Sequence, residues 1–393
     1  MSDRAAIAFG SPMYVMLKPV GARCNLACPY CYYLDKGGDL LMSEEMLELF
    51  TRQYMEAQTM PQVLFTWHGG EPLLRPLSFY KKALELQRRY AHGRQVDNCL
   101  QANGTLLTDE WCAFLSENRF LVGISIDGPQ PLHDAYRHTA AGKPSFKEVM
   151  RGISLLQKHG VMWNAMATVN RLNADHPVDF YRFFRDIGCE FLQFTPVVER
   201  GEWKEGGNGR SPEVTSYSVT PVQWGHFLCV VYDEWVKRDV GTIFVQLFDC
   251  TLANWVGAPP SLCSMAPTCG RAAVMEADGT VYSCDHFVYP HYRLGNIRQQ
   301  TLTTMLYGER QQLFGRQKST TLPRQCRECP FLFACHGECP RNRFVTDCYG
   351  NPGLNYLCEG YRRFFQHVAA DMDFMAGDLQ AGRSPASIAH IIV

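Results

Sequence analysis

Residues 23–33 read RCNLACPYCYY and place three cysteines, Cys24, Cys28 and Cys31, within eight residues. Zinc sites and closed iron–sulfur clusters take four protein ligands, so this trio is one ligand short. Spacings of four and three would also align the cysteines on one face of a helix, but Pro29 between them favours a loop. Three thiolates on a cluster of four irons leave one iron open to a small molecule. The stretch therefore predicts a cluster whose last ligand does not come from the chain.

The composition of the whole chain is that of a globular protein. Its 393 residues are 46% hydrophobic, which is enough for a large domain and a smaller one. The formal net charge of −1 gives no electrostatic reason to expect nucleic acid or an anionic membrane as a partner. The start lacks the apolar run of a signal peptide, and no later run reaches the roughly 18 apolar residues of a membrane span. We therefore expect a cytoplasmic protein.

Seventeen cysteines are many for a cytoplasmic chain, where disulfides are rare and metal–thiolate chemistry is the better explanation. Besides the trio, eight fall in two tight groups, which equals two complete sets of four ligands: Cys263, Cys269 and Cys284, then Cys326, Cys329, Cys335, Cys339 and Cys358. Zinc is the alternative, because the second group could form a zinc ribbon. The spacing alone does not choose the pairing, and Cys348 competes with Cys358 for the last position.

Six short β-rich runs alternate with helical segments in the first half of the chain. The runs are 13–18, 62–67, 96–102, 121–127, 161–169 and 189–197. Helices are predicted to start after Ser43, Thr108 and Ser145, the last with a capping box to Glu148. Strands separated by helices pair in parallel, so the fold class is α/β, either an open doubly wound sheet or a partial barrel. In both, ligands bind at the carboxyl ends of the strands.

Chemistry-bearing motifs follow four of these strands. The cysteine trio follows the first, HGGEP (68–72) the second, Asn103 and Gly104 the third, and SIDGP (125–129) closes the fourth. Because the carboxyl ends of parallel strands share one edge, these loops are expected to form a single site.

The second half has a different organisation. A helix is predicted to open at Thr220, a hairpin to turn at Asp278 and Gly279, and a helix to close the chain over 361–379. Residues 199–219 are predicted to be a long loop. We place the domains at 1–255, 256–362 and 363–393, with the middle segment organised by metal more than by apolar burial.

The trio, with Tyr30 before its last cysteine, resembles the signature of radical S-adenosylmethionine (SAM) enzymes, and GGEP resembles their second motif. The resemblance implies a partial (β/α)6 TIM-like barrel and a 4Fe-4S cluster whose open iron binds SAM. It also implies that Glu71 accepts a hydrogen bond from the SAM ammonium group. The cofactor-binding residues that it implies are Tyr30, His68, Gly69, Gly70, Glu71, Ser125, Arg137 and Val198.

The later cysteines resemble the SPASM extension of these enzymes, a small cysteine-rich domain that holds two auxiliary 4Fe-4S clusters. The resemblance assigns Cys263, Cys269, Cys284 and Cys339 to one cluster. It assigns Cys326, Cys329, Cys335 and Cys358 to the other, because LNYLCEGY around Cys358 is similar to the closing motif of the family. Three clusters and SAM are therefore the expected cofactors.

The whole chain, over roughly 12–375, resembles the anaerobic sulfatase-maturating enzymes, as WHGGEP, ISIDGP, QFTPVVER and YSCDHFV illustrate. The resemblance implies oxidation of a cysteine or serine of a sulfatase to Cα-formylglycine, with Asp285 as the base. It implies a sulfatase polypeptide and a low-potential electron donor, such as flavodoxin or ferredoxin, as partners. The radical chemistry that the resemblance implies also favours a base near an auxiliary cluster, because a substrate radical must lose a proton and an electron to become a stable product, and Asp285 directly follows the predicted ligand Cys284.

Two other functions fit the same patterns. One is a SPASM peptide maturase that forms a thioether or carbon–carbon crosslink, although only about a dozen residues precede the first strand, too few for a precursor-binding domain. The other is a zinc-rich binding or scaffold protein without catalysis.

Overall fold

The computed structural model describes residues 13–33, 40–201 and 214–391, so most of the predicted loop over 199–219 lies outside the described residues. The strands are β1 (Tyr14–Leu17), β2 (Gln62–Trp67), β3 (Gln95–Ala102), β4 (Leu121–Ser125), β5 (Met162–Val169), β6 (Phe191–Pro196), β7 (Phe244–Val245), β8 (Ala272–Met275), β9 (Thr280–Tyr282), β10 (Arg293–Asn296), β11 (Arg343–Thr346) and β12 (Pro352–Asn355). The α-helices are α1 (Glu44–Ala57), α2 (Leu77–Tyr90), α3 (Asp109–Glu117), α4 (Gln130–Asp134), α5 (Phe146–Lys158), α6 (Pro177–Asp186), α7 (Pro221–Val236), α8 (Gln246–Trp255), α9 (Leu302–Leu306), α10 (Glu309–Thr320), α11 (Arg324–Arg327), α12 (Leu332–Cys335) and α13 (Cys358–Gln380).

The six predicted strands are all present as β1 to β6, with helices between them, so the predicted α/β alternation is confirmed. Helix α1 begins where Ser43 accepts a hydrogen bond from the Met46 amide, and α3 begins at the equivalent cap, Thr108. The hairpin between β8 and β9 and the helix that opens at Thr220 are also confirmed, and the structure adds a capping box between Thr220 and Gln223 at that helix start. The closing helix is confirmed as α13, which begins earlier than predicted, at Cys358.

The predicted capping box at Ser145 is wrong. The Ser145 hydroxyl is buried and donates to the Arg137 carbonyl oxygen at 2.7 Å, so it does not cap α5. Oδ1 of Asp134 instead accepts from the amides of Ser145 and Phe146, at 3.0 and 2.9 Å. A carboxylate from outside the helix has taken over the role that the local pattern gave to the serine.

Contacts divide the chain into two units. The first comprises the described residues up to Ser125, then Asp134–Trp163 and Cys269–Gln317. Its strands lie in the order β10-β9-β8-β1-β2-β3-β4, in which β8 and β1 to β4 run parallel while β9 and β10 are antiparallel additions. Leu17 of β1 pairs with Trp67 on one side and Met275 on the other, so the residues that follow these three strands share one edge.

The second unit comprises Ile126–His133, Asn164–Thr268 and the described residues from Lys318 onward. Strands β5, β6 and β7 run parallel in it, and β11 and β12 form an antiparallel pair. Helices α7 and α13 pack closely, because a Cβ atom on Gly225 would lie 2.8 Å from the Cα atom of Gly360. Among the described residues, no helix has both the length and the apolar character that crossing a membrane requires. The domain limits at 255 and 362 stay a prediction.

Candidate active site

The cysteine trio lies in a loop after β1 that has no helical turn, as Pro29 predicted. Backbone hydrogen bonds shape this loop: the Cys31 amide donates to the Cys28 carbonyl at 3.0 Å, and the Ala27 amide to the His138 carbonyl at 2.8 Å. The sulfur of Cys24 accepts from the Leu26 amide at 3.4 Å and from Nδ2 of Asn103 at 3.8 Å. All three cysteines are free thiols. Donors therefore already point at Cys24, as they do at ligand sulfurs in iron–sulfur proteins.

Gly69 and Gly70 fit tightly against the trio's loop. Both have positive φ angles, +85° and +29°, which glycine adopts at little cost. A Cβ atom on Gly70 would lie 1.9 Å from the carbonyl oxygen of Arg23, and one on Gly69 would lie 2.2 Å from the side chain of Lys18. The two glycines are therefore required by contacts within the chain, in addition to the role predicted for them next to a cofactor.

Glu71 is fully buried and joins the second and third loops. One carboxylate oxygen accepts from the Asn103 amide at 2.7 Å, and the other accepts from the Leu73 amide at 3.0 Å. Burial outweighs these hydrogen bonds and raises the pKa of Glu71 to about 7. Nδ2 of Asn103 also donates to Asn25 at 2.8 Å, so the structure brings together three of the loops that the sequence predicted to meet.

Asp285 lies in a charged cluster at the same edge of the first unit's sheet. Its Oδ1 is 2.6 Å from the ammonium nitrogen of Lys18, whose side chain is fully buried. Its Oδ2 accepts a hydrogen bond from the hydroxyl of Tyr32. Burial alone would raise the pKa of this carboxyl, but the Lys18 ammonium, together with smaller contributions from His68 and His286, outweighs burial and holds the pKa of Asp285 well below its usual range. Asp285 is therefore ionised and fixed on both oxygens.

His68 belongs to this charged cluster. Its Nδ1 accepts from the Gly69 amide at 2.6 Å and lies 3.2 Å from the Lys18 ammonium nitrogen. Burial and then the Lys18 charge lower the pKa of His68 to about 3. The ring is therefore neutral, with its hydrogen on Nε2, because Nδ1 accepts.

Tyr33 and Glu276 complete the charged cluster. The Tyr33 hydroxyl donates to the Glu276 carboxylate at 2.6 Å, and the Tyr33 ring centre lies 3.9 Å from the Lys18 ammonium nitrogen. Burial and then the facing Glu276 carboxylate raise the pKa of Tyr33 above its ordinary value. The ring is thus a neutral cation–π partner for Lys18.

The other predicted cofactor-binding residues have these positions. Tyr30 is buried, with its ring edge on to Tyr136 at 6.0 Å and the guanidinium of Arg137 5.6 Å from its centre. The Ser125 hydroxyl accepts from Gln101 at 3.0 Å. Val198 is buried in the second unit. Their roles toward a cofactor stay predictions.

Four of the auxiliary-cluster cysteines line one cavity of about 310 Å³ in the second unit: Cys326, Cys329, Cys335 and Cys358. Cys348 lines the same cavity and is exposed. Gln325 lies between the two competing cysteines, since its Nε2 donates to the Cys358 sulfur at 3.9 Å while its Oε1 accepts from the Cys348 amide at 3.0 Å. Across the described ranges, no three His, Cys, Asp or Glu side chains lie close enough to hold a single metal ion.

Of the remaining four auxiliary cysteines, Cys269 and Cys284 belong to the first unit. In the first unit, the buried Gln311 donates to the carbonyls of Gly270 and Ser283, each next to a predicted ligand, Cys269 and Cys284. Cys263 and Cys339 belong to the second unit. The assignment of these four to one cluster stays a prediction.

Sequence reasoning gave no role to Lys18, Tyr32 or Glu276. A signal for Lys18 existed, because a lysine that ends the apolar run MYVMLK at the carboxyl end of a parallel strand points to a site. Tyr32 and Glu276 had no comparable signal in the sequence. Only their hydrogen bonds in the fold, Tyr32 to Asp285 and Glu276 to Tyr33, mark them as residues of the site.

Comparison with known proteins agrees with this geometry. The model of the radical SAM superfamily matches residues 19–184, and the model of the SPASM iron–sulfur cluster-binding domain matches residues 263–330. The chain is 59% identical to a serine-type anaerobic sulfatase-maturating enzyme of Bacteroides thetaiotaomicron, over 97% of this chain and 95% of that protein. It is 32% identical to a cysteine-type enzyme of Clostridium perfringens, over 91% of this chain and 96% of that one. A solved structure of anSMEcpe with bound AdoMet and the Cp18Cys peptide matches with a TM-score of 0.84 and 31% identity, over 93% of this chain and 99% of that one.

Proposed function

Because the chain belongs to the anaerobic sulfatase-maturating enzymes of the radical SAM superfamily, we propose that it oxidises one serine of a sulfatase to Cα-formylglycine. It is a radical SAM oxidoreductase with a mixed α/β fold, a SPASM domain, iron–sulfur clusters and SAM as cofactors. The observation that carries the choice of serine is the 59% identity with a serine-type relative, against 32% with a cysteine-type one.

The residues of the first unit fit the SAM-binding cluster. Cys24, Cys28 and Cys31 would hold it, because they are free thiols in one loop with hydrogen-bond donors at Cys24. Glu71 would accept from the SAM ammonium, since each of its oxygens has one further lone pair beyond the backbone amide that it already binds. When bound, this cofactor pair supplies a 5′-deoxyadenosyl radical that removes a hydrogen atom from the substrate Cβ.

The other predicted contacts with SAM are proposals too. Residues that would approach it are Tyr30, His68, Gly69, Gly70, Ser125, Arg137 and Val198. In the second unit, Cys326, Cys329, Cys335 and Cys358 would hold an auxiliary cluster, and the cavity that they line supports this assignment. Cys263, Cys269, Cys284 and Cys339 would hold the other.

Asp285 would act as the base. Oxidation of a serine side chain to an aldehyde removes two electrons and two protons. One electron and one proton leave Cβ together, as a hydrogen atom. The hydroxyl proton would then pass to Asp285, and an auxiliary cluster, when bound, would supply the acceptor for the second electron. Electron loss makes that proton strongly acidic, so even a carboxylate with a low pKa can take it. Lys18 and Tyr32 support this role by holding the carboxylate ionised and oriented.

The proposed setting follows from the same chemistry. A sulfatase polypeptide with an unmodified serine would be the client, and a low-potential donor such as flavodoxin or ferredoxin would reduce the SAM-binding cluster. A reducing cytoplasm suits a protein whose seventeen cysteines are free thiols. No nucleic acid or membrane enters this proposal, and the near-neutral net charge supports neither.

The test is anaerobic incubation of the iron-loaded protein with SAM, reductant and a sulfatase-derived peptide containing serine or, as the matched control, cysteine. The serine peptide should lose the mass of two hydrogen atoms and gain reactivity toward a hydrazine, which marks an aldehyde. A crosslink would give the same mass loss without hydrazine reactivity, so that result favours the crosslinking alternative. Faster conversion of the cysteine peptide would contradict the serine preference.

A further inference from the structure

The parallel sheet of the second unit has one covered face and one open face. Alternate side chains of β5, β6 and β7 are buried on the covered face: Ala165, Ala167, Leu192, Phe194 and Val245. Side chains that alternate with them are half-buried or exposed on the open face: Asn164, Phe191, Gln193, Thr195 and Phe244. Parallel sheets are normally apolar and covered on both faces. The open, partly polar face is therefore suited to a ligand.

Two phenylalanines stack on this open face, at the starts of β6 and β7. Phe191 pairs with Phe244 in the register of the strands, and their ring centres lie 5.1 Å apart at an interplanar angle of 12°. The two residues are 47% and 39% exposed. Asn164 lies beside Phe191, because the next residues along these two strands, Ala165 and Leu192, pair with each other. Exposed aromatic faces next to polar groups suit a cation.

Acceptor oxygens lie next to the stacked phenylalanines. The side-chain carbonyl oxygens of Asn164 and Gln246 are buried, and no donor in the described part of the chain reaches either of them. Gln246 begins α8 two residues after Phe244, so the alternation of the extended chain places both side chains on the same side. Asp249 follows one helical turn later, on a helix that packs against β6.

Asp249 is a half-buried carboxylate. Burial raises the pKa of its carboxyl to about 6, and no hydrogen bond or ion pair with another described residue offsets this burial. A cation from outside the chain would stabilise the ionised carboxylate.

A guanidinium group fits this combination of aromatic rings and acceptors. It carries five N–H donors in one plane, stacks on aromatic faces and keeps its charge at all ordinary pH values. It would donate to the amide oxygens of Asn164 and Gln246 and pair with the Asp249 carboxylate. A lysine ammonium is a compact, strongly hydrated charge that does not stack in this way.

The open face also leads toward the proposed reaction site. Along β6 it runs from Phe191 to Pro196, at the carboxyl end of the strand, where parallel sheets bind their ligands. Val198, for which a contact with SAM is proposed, follows just beyond that end. At about 3.3 Å per residue this part of β6 is about 17 Å long, a distance that an extended polypeptide spans with about five residues.

We propose that Asn164, Gln246 and Asp249, together with the two stacked phenylalanines, form a subsite for an arginine side chain of the client polypeptide. An extended client would carry this arginine about five residues from the serine that is oxidised. The subsite would thus select the client by a residue that takes no part in the chemistry. The inference rests on the proposed function for the identity of the client.

The test is a calorimetric titration of the full-length, iron-loaded protein with SAM and serine-containing peptides, without reductant so that no turnover occurs. A single arginine is moved through each position within about eight residues of the serine. Matched peptides carry citrulline instead, which keeps the shape of arginine without its charge, or lysine. Asp249→Asn removes the charge of the subsite. Asp186→Asn is the control variant, because it removes an exposed carboxylate of the same unit.

We expect one position at which the arginine peptide binds about tenfold more tightly than the citrulline peptide. This advantage should disappear in Asp249→Asn and persist in Asp186→Asn, while an unchanged affinity for the citrulline peptide shows that Asp249→Asn is folded.

Equal binding of arginine and citrulline peptides at every position would overturn the proposal. So would an arginine advantage that Asp249→Asn retains, or a lysine peptide that binds as tightly as the arginine peptide. Formylglycine production by the wild-type protein tests the proposed function separately, because the binding experiment involves no turnover.

Discussion

The ammonium nitrogen of Lys18 lies 2.6 Å from Oδ1 of Asp285, although the two residues are far apart in the sequence. Strand β1 ends just before Lys18, and it runs parallel to β8, whose hairpin with β9 leads to Asp285. The sheet therefore places a buried cation against the candidate base. The same ammonium also lies 3.2 Å from His68, so one lysine orders two predicted site residues.

Lys18→Met should uncouple SAM cleavage from product formation. Without the ammonium, the Asp285 carboxylate loses one of its two fixed contacts, and we expect formylglycine per SAM cleaved to fall about tenfold to a hundredfold. Mass spectrometry of peptide and 5′-deoxyadenosine in the same sample gives this ratio. Lys82→Met, which removes a partly exposed lysine paired with Glu85, is the control and should leave the ratio unchanged. An unchanged ratio in Lys18→Met with full iron content would contradict the role of Lys18.

Asp285→Asn should still cleave SAM but form about a hundredfold less formylglycine, because the amide cannot accept the hydroxyl proton. The asparagine keeps the size of the side chain, so iron content should match that of the wild-type protein. Undiminished product would remove Asp285 from the role of base.

Joint replacement of Cys24, Cys28 and Cys31 by alanine should leave about eight irons per chain out of about twelve. The eight remaining ligand cysteines would still hold two complete clusters. Iron analysis of the anaerobically reconstituted protein measures this number. A fall to zero would mean that the clusters do not assemble independently.

SAM affinity should weaken as the pH falls below about 7. The pKa of Glu71 is raised to about 7, so below that pH the buried carboxyl carries a proton. Binding the SAM ammonium requires the ionised Glu71 carboxylate, so at low pH Glu71 must release its proton when SAM binds. The affinity for SAM therefore falls by up to about tenfold for each unit that the pH is lowered. Calorimetric titration of SAM binding over about two pH units, from about pH 6 to about pH 8, spans the pKa of Glu71 and measures how the affinity changes with pH. Glu71→Gln should bind SAM weakly at every pH, without this pH dependence. The same pH dependence in the variant would show that a group other than Glu71 causes it.

Cys358→Ser should lose about four irons per chain, whereas Cys348→Ser should retain all of them. Both cysteines line the cavity in the second unit, but Gln325 donates to the sulfur of Cys358, whereas it accepts from the backbone amide of Cys348. The two variants are controls for each other because each removes one thiol from the same cavity. The opposite pattern of iron loss would assign the last ligand to Cys348.

Local sequence patterns predicted the strands and helix starts that depend on residues close together in the sequence. The runs that became β1 to β6 each combine apolar residues with at least one β-branched residue, and Ser43, Thr108 and Thr220 cap helices through their own side chains. Helix α10 was not predicted, because it buries polar side chains, Gln311 and Lys318, that hold carbonyls of other segments. The predicted capping box at Ser145 was wrong because a residue outside the helix, Asp134, accepts from the amides at the start of α5.

The sequence by itself determined the chemistry of this protein, since the cysteine trio, the Gly-Gly-Glu motif and the later cysteine groups depend only on residue type and spacing. The tertiary structure alone decided the partners: Lys18 and Tyr32 at Asp285, Gln325 between Cys348 and Cys358, and Lys318 on the carbonyls after Cys263. The physical reason is that hydrogen bonds and ion pairs need contact within a few ångströms. Strand register and packing, which no single stretch encodes, bring such distant residues together.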